Sequence, residues 1–337
     1  YGTTELLDPD EKSRIKGLVI NKFRGDKSIL DPGVEMLERL TGIPVVGVTP
    51  YLHVSLEDED SLSERLEGNE KAGVSLIDLA VIRLPRISNF TDFNVFESIE
   101  GVSVRYVSSV RQLGNPDMII LPGTKNTMRD LLWMRQNGLE AAILKAQRAG
   151  TVIFGVCGGY QMLGKTITDA EQVEEGGTIR GMGLLDMDTV FESEKARTRV
   201  EGTFLAPGGA LGTLAGVPLC GYEIHMGRSY RHSEAVSFEP LLEIQDIRTG
   251  EKKLEGAWKD NIYGSYVHGI FDREEVASLV VHALANAKGL SEELGTVMDF
   301  AAFKETQYDL LADGLRANLD MKAIYRILDG EKVNNGR

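Results

Sequence analysis

The stretch Thr151-Val-Ile-Phe-Gly-Val-Cys-Gly-Gly-Tyr-Gln-Met-Leu163 decides the fold prediction for this chain. It opens with a short β-branched run typical of a buried parallel strand, and it closes with residues that favour a helix. Between them, Gly155-Val-Cys157-Gly-Gly159 matches the Gly-x-nucleophile-x-Gly turn, in which a sharp strand-to-helix bend projects a reactive side chain clear of the sheet. Glycine is needed two residues to either side, because the backbone there lies too close to its neighbours for a side chain. The pattern predicts Cys157 as a nucleophile.

Strand-like runs alternate with helical patterns around this stretch, at 76–82, 102–107, 118–121 and 262–267. Such alternation predicts an α/β domain of flavodoxin-like type, with a mostly parallel sheet and helices on both faces. The region 176–258 is richer in Gly, Thr and isolated apolar residues, and we expect it to add antiparallel strands.

Four regions are predicted along the chain. Residues 1–60 have a strand–helix–strand pattern without partner strands, which is typical of the end of an α/β domain. Residues 61–74 form an acidic linker, residues 75–290 the main α/β domain, and residues 291–337 C-terminal helices packed on that domain. Because the chain opens at Tyr1 rather than at Met, we expect it to be a piece of a longer polypeptide.

Composition excludes several classes of function. The formal net charge of −14, with no basic cluster, argues against a nucleic-acid partner. No apolar run approaches the roughly 20 residues that span a bilayer, so we expect no membrane partner and a cytoplasmic location. Two cysteines are too few for a disulfide framework, and no Cys/His spacing predicts a metal site. Nothing in the sequence decides the oligomeric state.

A cysteine nucleophile needs a base, and His268 is the best of five histidines. It follows the strand at 262–267, and the carboxyl ends of parallel strands gather beside the nucleophile turn. Backbone N–H groups near Gly158 and near Gly123, in the loop after the strand at 118–121, are the candidates to bind an oxyanion. Cys220 lacks such surroundings and is predicted to be structural.

A competing motif overlaps the nucleophile turn. The segment Gly159-Tyr-Gln-Met-Leu-Gly-Lys-Thr166 satisfies the phosphate-loop pattern G-x-x-x-x-G-K-[ST]. Its bulky, helix-favouring insert is poorly suited to wrapping backbone amides around an anion, and it shares Gly159 with the turn. We therefore favour the nucleophile over the phosphate loop.

The nucleophile motif resembles that of the class I (triad) glutamine amidotransferases. Further segments are similar, more narrowly, to the cobyric acid synthase family, and together they cover nearly the whole chain. These segments are Asn21-Lys-Phe-Arg-Gly-Asp26, Ser88-Asn-Phe-Thr-Asp-Phe-Asn94, Leu121-Pro-Gly-Thr-Lys-Asn-Thr127, Gly221-Tyr-Glu-Ile-His-Met-Gly227 and Tyr263-Gly-Ser-Tyr-Val-His-Gly-Ile-Phe271.

The resemblance implies an amidotransferase domain preceded by the C-terminal part of a dethiobiotin-synthetase-like ATP-binding domain. It implies glutamine hydrolysis through a cysteine thioester and use of the ammonia to amidate a corrinoid substrate, adenosylcobyrinic acid a,c-diamide, giving cobyric acid in cobalamin biosynthesis. ATP and Mg²⁺ would bind mainly outside this chain, with no cofactor on the amidotransferase domain, so the chain alone would be a glutaminase at most. Gln161 would contact glutamine, and Asn21 would lie near the adenine of ATP.

The sequence departs from the class I pattern at one position. The usual glutamate two residues after the histidine is replaced by Ile270. The resemblance therefore implies a dyad of Cys157 and His268, with the orienting carboxylate absent or supplied by Glu223 or Asp272.

Three residues keep open roles, and two other functions stay possible. Candidates for substrate binding or for orienting the base are Glu223, His225 and Arg228. The alternatives are the related cobyrinic acid a,c-diamide synthase and a non-catalytic amidotransferase-like module.

Overall fold

The computed structural model describes residues 1–52, 54, 75–231, 239–290 and 300–330, with the backbone alone at 300–304. The predicted acidic linker at 61–74 lies outside the described residues. Within them, no helix is both long enough and apolar enough to cross a membrane.

The elements follow one another along the described residues as strands separated by helices, with two 3₁₀ turns at Phe90–Phe93 and Gly209–Leu214. The helices are α1 (Gly2–Glu5), α2 (Pro9–Arg14), α3 (Lys27–Thr41), α4 (Asn94–Glu97), α5 (Val110–Leu113), α6 (Thr127–Gln136), α7 (Leu139–Arg148), α8 (Gly158–Leu163), α9 (Glu274–Lys288), α10 (Phe300–Asn318) and α11 (Met321–Leu328). The strands are β1 (Leu18–Phe23), β2 (Val45–Pro50), β3 (Ile77–Ile82), β4 (Val102–Val107), β5 (Met118–Leu121), β6 (Val152–Val156), β7 (Thr166–Asp169), β8 (Gly177–Arg180), β9 (Met187–Phe204), β10 (Pro218–Arg231), β11 (Leu242–Asp246), β12 (Lys252–Glu255), β13 (Ala257–Lys259), β14 (Ile262–Ser265) and β15 (Val267–His268).

The chain forms two compact units. The first joins Tyr1–Leu56 to Ala302–Arg337, and the second is Glu57–Ala301. In the first unit, β1 and β2 pair in parallel. The helix α3 between them begins after Asp26, whose carboxylate accepts a hydrogen bond from the N–H of Ser28 at 2.9 Å, and it ends at Gly42 in the left-handed conformation.

The C-terminal helices belong to the first unit, which differs from the prediction that they pack on the amidotransferase domain. The N–H of Asp320 donates to the carbonyl of Val46 at 2.7 Å, and Leu319 forms an isolated antiparallel bridge with Gly47. The side chain of Ile327 approaches Gly17 beside Val46. The reason is that apolar residues of α11 and of the bend before it, Ile327 and Leu319, pack against β2.

The second unit is built on a six-stranded sheet with the order β13-β14-β6-β5-β3-β4. All its neighbours pair in parallel except β13 with β14. The prediction of a mostly parallel α/β sheet is confirmed. Because β6 lies inside the sheet between β5 and β14, the residue that follows it is flanked by the carboxyl ends of both neighbours.

A second, largely antiparallel sheet occupies the region after α8. Its path is β12-β11-β9-β10-β15, with β7 and β8 attached at the side. The long strands β9 and β10 form its centre. The antiparallel strands predicted within 176–258 are therefore confirmed.

The chain passes from one sheet to the other at Tyr266, a point we call the strand switch (residues 265–268). Ser265 ends β14 in the parallel sheet, whereas β15 pairs with β10 in the antiparallel sheet, with His268 opposite Tyr222. The single predicted strand at 262–267 is thus divided between two sheets. This division brings His268 to the carboxyl edge of the parallel sheet.

The contact between Gly47 and the segment before α11 predicts a stability effect. A Cβ atom at Gly47 would lie 2.7 Å from the carbonyl oxygen of Asn318 and 2.9 Å from the Cα of Leu319. Because backbone would have to move, we expect Gly47→Ala to lower the free energy of unfolding of the first unit by roughly 1–3 kcal/mol. Urea denaturation followed by amide hydrogen exchange measures it.

Gly33→Ala is the matched control. Gly33 lies inside α3, where the nearest atom to an added Cβ is Leu30 Cδ1 at 3.5 Å. This substitution should stabilise the first unit by about 0.5–1 kcal/mol, since alanine favours a helix interior over glycine. A Gly47→Ala protein as stable as the parent would contradict the packing of the C-terminal segment on β2.

Candidate active site

Cys157 occupies a strained turn between β6 and α8. Its backbone dihedrals are φ 52° and ψ −109°, a combination that residues with a side chain rarely adopt. A Cβ atom at Gly155 would lie 2.7 Å from the carbonyl oxygen of Gly159 and 2.7 Å from the nitrogen of Tyr160. The glycines that flank the cysteine are therefore required by the close approach of β6 to α8.

Two contacts fix the cysteine against neighbouring strands. Its N–H donates to the carbonyl oxygen of Ser265 at 2.8 Å, which ties the turn to the strand switch. Its Sγ lies 3.8 Å from the carbonyl oxygen of Ile224 on β10. The thiol is thus held between the two sheets, and Cys157 is 8% exposed. Cys220, the other cysteine, is exposed elsewhere on β10.

His268 is held by a carboxylate that the sequence analysis did not single out. Its Nδ1 lies 2.7 Å from Oδ2 of Asp92, and the other carboxylate oxygen of Asp92 accepts the N–H of Gly269 at 3.2 Å. Both side chains are buried. With Nδ1 hydrogen-bonded to a carboxylate, Nδ1 carries a proton and Nε2 is left as the reactive nitrogen.

The electrostatic surroundings of His268 favour its protonated form. Burial by itself would lower the pKa of the imidazole, but the charges of Asp92 and Cys157 and the hydrogen bonds to them raise it well above its usual 6.5. A hydrogen bond between the imidazole and the side chain of Cys157 is one of these causes. The imidazolium form of His268 is the charge state that this arrangement stabilises.

Asp92 corrects the sequence-based assignment of the orienting carboxylate. Glu223 and Asp272 were the two candidates, but Nδ1 of His268 is bonded to Asp92. A signal for Asp92 existed, because the segment Ser88–Asn94 was among those that carry the family resemblance. That segment follows β3, at the same edge of the sheet as Cys157.

Glu223 is engaged away from the base. Its carboxylate lies 2.8 Å from Nζ of Lys253, and its Oε1 is 3.7 Å from Nε2 of His225. Burial would raise the pKa of Glu223, yet the hydrogen bonds and charges of His225 and Lys253 outweigh it and lower the pKa. Asp272 lies in the turn after β15, where its N–H donates to the carbonyl of Gly269 at 2.9 Å.

The two loops predicted to bind an oxyanion meet beside the cysteine. A Cβ atom at Gly123 would lie 2.9 Å from Cε1 of His268, and one at Gly158 would lie 2.8 Å from Cγ2 of Thr124. The loop after β5 therefore packs against both the imidazole and the start of α8. Bare backbone is a steric requirement at both positions.

Gln161 lies one helical turn after Cys157 and is almost fully buried. Its Oε1 accepts a hydrogen bond from Oγ1 of Thr127 at 2.9 Å, and its Nε2 is 3.4 Å from the hydroxyl of Tyr266. The amide is therefore oriented by side chains of α6 and of the strand switch.

His225 and Arg228 line a cavity of about 620 Å³ on the antiparallel sheet, together with Glu223 and Tyr266. The ring of His225 stacks on Tyr266 with centroids 3.9 Å apart, and its Nδ1 lies 2.8 Å from the carbonyl oxygen of Gly227. The guanidinium of Arg228 pairs with Glu192 at 3.1 Å. The three candidates Glu223, His225 and Arg228 thus line one cavity, and all lie on β10, the strand that contacts the sulfur of Cys157.

The structure decides between the two overlapping motifs. Residues Gly158–Leu163 form the helix α8, so the backbone amides of the supposed phosphate loop enter a helix. Lys165 forms an ion pair with Asp186. The phosphate-loop interpretation is therefore excluded in favour of the nucleophile turn.

Asn21 is the one predicted site residue of the first unit. It lies on β1 with an exposed side chain, whose Oδ1 accepts the N–H of Lys22 at 2.9 Å. No phosphate-binding loop accompanies it in the described part of that unit, so these residues do not by themselves form a site for ATP.

The Asp92 contact predicts a shift in the pH dependence of thiol reactivity. A histidine whose pKa is raised keeps its proton, and hence its positive charge, until pH exceeds that raised pKa. Removing the charge in Asp92→Asn should move the upper limb of Cys157 alkylation by iodoacetate, an anion attracted by the imidazolium, to lower pH by about 1–3 units. Alkylation rates measured by mass spectrometry from pH 5 to pH 11 give the profile.

Asp272→Asn is the matched control for this experiment. It removes a carboxylate close in sequence to His268 that does not hold Nδ1, and it should leave the alkylation profile unchanged. A shift with Asp272→Asn and none with Asp92→Asn would contradict the assignment.

Comparison with known proteins gives this geometry a family. Residues 78–276 match the model of the CobB/CobQ-like glutamine amidotransferase domain. Cobyric acid synthase of Ruminiclostridium cellulolyticum is 53% identical over 336 residues, which cover 100% of this chain and 65% of that protein. Cobyric acid synthase of Lachnoclostridium phytofermentans is 48% identical over 342 residues, which cover 98% of this chain and 65% of that protein.

The chain thus spans about 65% of the length of these curated relatives. The family model covers more than half of the chain, and it contains every residue placed around the cysteine, from Asp92 to His268. The chain belongs to the CobB/CobQ-like glutamine amidotransferase family.

Proposed function

We propose that this chain hydrolyses glutamine, with Cys157 as the nucleophile, His268 as the general acid and base, and Asp92 as the residue that orients His268. One observation carries the proposal: a cysteine at a strained turn lies beside an imidazole whose far nitrogen is 2.7 Å from a buried carboxylate. Membership of an amidotransferase family supports glutamine as the substrate.

The first half of the reaction forms a thioester. The Cys157 thiolate attacks the side-chain amide carbon of glutamine, and backbone N–H groups near Gly123 and Gly158 stabilise the oxyanion. Nε2 of protonated His268 then gives its proton to the departing nitrogen, so ammonia leaves and a γ-glutamyl thioester remains.

The second half releases glutamate. The now neutral His268 removes a proton from water as that water attacks the thioester, and the thiolate is expelled. Throughout, Asp92 keeps the Nδ1 proton in place and stabilises the imidazolium each time it forms. Gln161 supports substrate binding through its position one helical turn from the cysteine.

The larger reaction is proposed from the relatives. They are named cobyric acid synthases, and we infer that the intact protein uses the ammonia to amidate carboxylates of a corrinoid, adenosylcobyrinic acid a,c-diamide, to give cobyric acid. ATP and Mg²⁺ would activate those carboxylates, and Asn21 is the residue of this chain assigned to the nucleotide. By itself, the chain would show glutaminase activity at most.

The second candidate is the related cobyrinic acid a,c-diamide synthase, which acts on the same class of macrocycle. Product analysis of the intact protein separates the two. New amides confined to the a and c side chains would favour the second candidate, whereas new amides on the remaining peripheral carboxylates support cobyric acid synthesis.

Covalent labelling tests the glutaminase proposal. A glutamine-analogue diazoketone should label Cys157 in the intact protein, and Cys157→Ser should abolish the label and lower glutaminase kcat by more than about 10³-fold. Peptide mass spectrometry and an ammonia assay measure the two outcomes.

Cys220→Ser is the control, since this exposed thiol lies outside the site. It should keep both the label and the activity. An unlabelled Cys157, or a Cys157→Ser protein as active as the parent, would favour a non-catalytic module and sink the proposal.

A further inference from the structure

We propose that Glu255 is a positioning residue that locks the strand switch and thereby sets the distance between the nucleophile and its base. The inference rests on the proposed glutaminase function, whose residues it connects. Glu255 ends β12 on the antiparallel sheet and is 6% exposed.

The carboxylate of Glu255 binds two consecutive residues of the switch. Its Oε2 accepts the hydroxyl of Ser265 at 2.5 Å, and its Oε1 accepts the N–H of Tyr266 at 2.8 Å. The same hydroxyl oxygen of Ser265 accepts the N–H of Val267 at 3.0 Å. One buried side chain therefore fixes the path by which the chain leaves the parallel sheet.

Both reactive groups are attached to this path. The carbonyl oxygen of Ser265 accepts the N–H of Cys157 at 2.8 Å, so the residue held by Glu255 through its hydroxyl holds the nucleophile through its backbone. His268 follows Val267 directly on β15. A change in the bend at Tyr266 would move His268 relative to Cys157.

Tyr266 extends the same arrangement to the substrate side. Its hydroxyl lies 3.4 Å from Nε2 of Gln161 and 2.8 Å from Oγ of Ser229. Fixing the backbone nitrogen of Tyr266 therefore also fixes a partner of the glutamine-binding candidate Gln161.

This buried position is electrostatically unfavourable for the ionised carboxylate of Glu255. Burial first, and the charge of Glu223 from β10 second, raise the pKa of Glu255 to about 7, while the two hydrogen bonds and the charge of Lys253 on β12 oppose the rise. The phenols of Tyr160 on α8 and of Tyr266 also face it, and its charge contributes to raising their pKa values. Glu255 thus titrates near neutrality beside the cavity that it helps to line.

The sign of the pH effect follows from which form makes the contacts. An ionised carboxylate accepts both hydrogen bonds, whereas a protonated one must use one oxygen as a donor, so the lock is complete above pH about 7. The contribution of Glu255 to the stability of the fold depends on pH in the opposite direction. Because the folded state holds the proton more tightly than the unfolded chain, stability is present in full at low pH and is lost as pH rises from 4.5 through about 7.

Glu255→Gln in the intact protein tests the inference, because it keeps the shape and removes the charge and one acceptor. We expect glutaminase kcat to fall about 10- to 100-fold, since small displacements of reacting groups carry such costs. The KM for glutamine should change less than about threefold, and the acidic limb of kcat near pH 7 should disappear. Relative to the parent, the variant should be more stable at pH 8 than at pH 5.

Two further variants complete the design. Glu255→Asp keeps the charge on a shorter side chain, and we expect it to retain the acidic limb with an intermediate kcat. Glu243→Gln is the matched control, because Glu243 is an exposed carboxylate on β11, the strand paired with β12, and does not line the cavity. It should behave as the parent in every assay.

The outcomes separate this inference from the proposed function. A Glu255→Gln protein with the parent's kcat and pH profile, or one whose loss of kcat equals its loss of folded protein, would overturn the role of Glu255. A parent without glutaminase activity would instead overturn the proposed function. In that case the alkylation rate of Cys157 still decides on Glu255: an altered rate in Glu255→Gln supports the lock, and an unchanged rate contradicts it.

Discussion

The hydrogen bond from the N–H of Cys157 to the carbonyl of Ser265 is the constraint on which the site depends. It joins the end of β6 to the point where the chain leaves the parallel sheet for the antiparallel one. Without that switch, the chain would continue in the parallel sheet, and His268 would not pair with β10. The antiparallel sheet is therefore part of the candidate active site, because it includes the strand that carries the proposed base, His268.

Both local backbone strain and contacts with distant residues position Cys157 and His268. The backbone of Cys157 occupies a region that costs about 1–3 kcal/mol for a residue with a side chain. Close packing at Gly155 and Gly159, between α8 and the sheet, holds the backbone in this conformation. Asp92 and Glu255 act at different points: the first is hydrogen-bonded to the imidazole of His268, and the second to the N–H of Tyr266, two residues earlier.

Features encoded within a few residues could be predicted, and features that depend on distant segments could not. The turn at Cys157 and the strand-end position of His268 follow from local glycine and strand patterns. Asp92 lies far from His268 in sequence, and the two pair only because the fold brings the 3₁₀ turn at Phe90–Phe93 next to β15. The same limit explains the C-terminal helices, whose apolar spacing predicts burial but does not identify β2 as the surface that buries them.

Trapping the intermediate tests the central claim, that Cys157 of this family member is a glutaminase nucleophile, most directly. The intact protein is mixed with radiolabelled glutamine, quenched in acid during turnover and digested, and its peptides are separated. The account predicts label on the peptide that contains Cys157, removed by neutral hydroxylamine as a thioester requires. Ammonia release with no label on that peptide, or label on the Cys220 peptide instead, would contradict it.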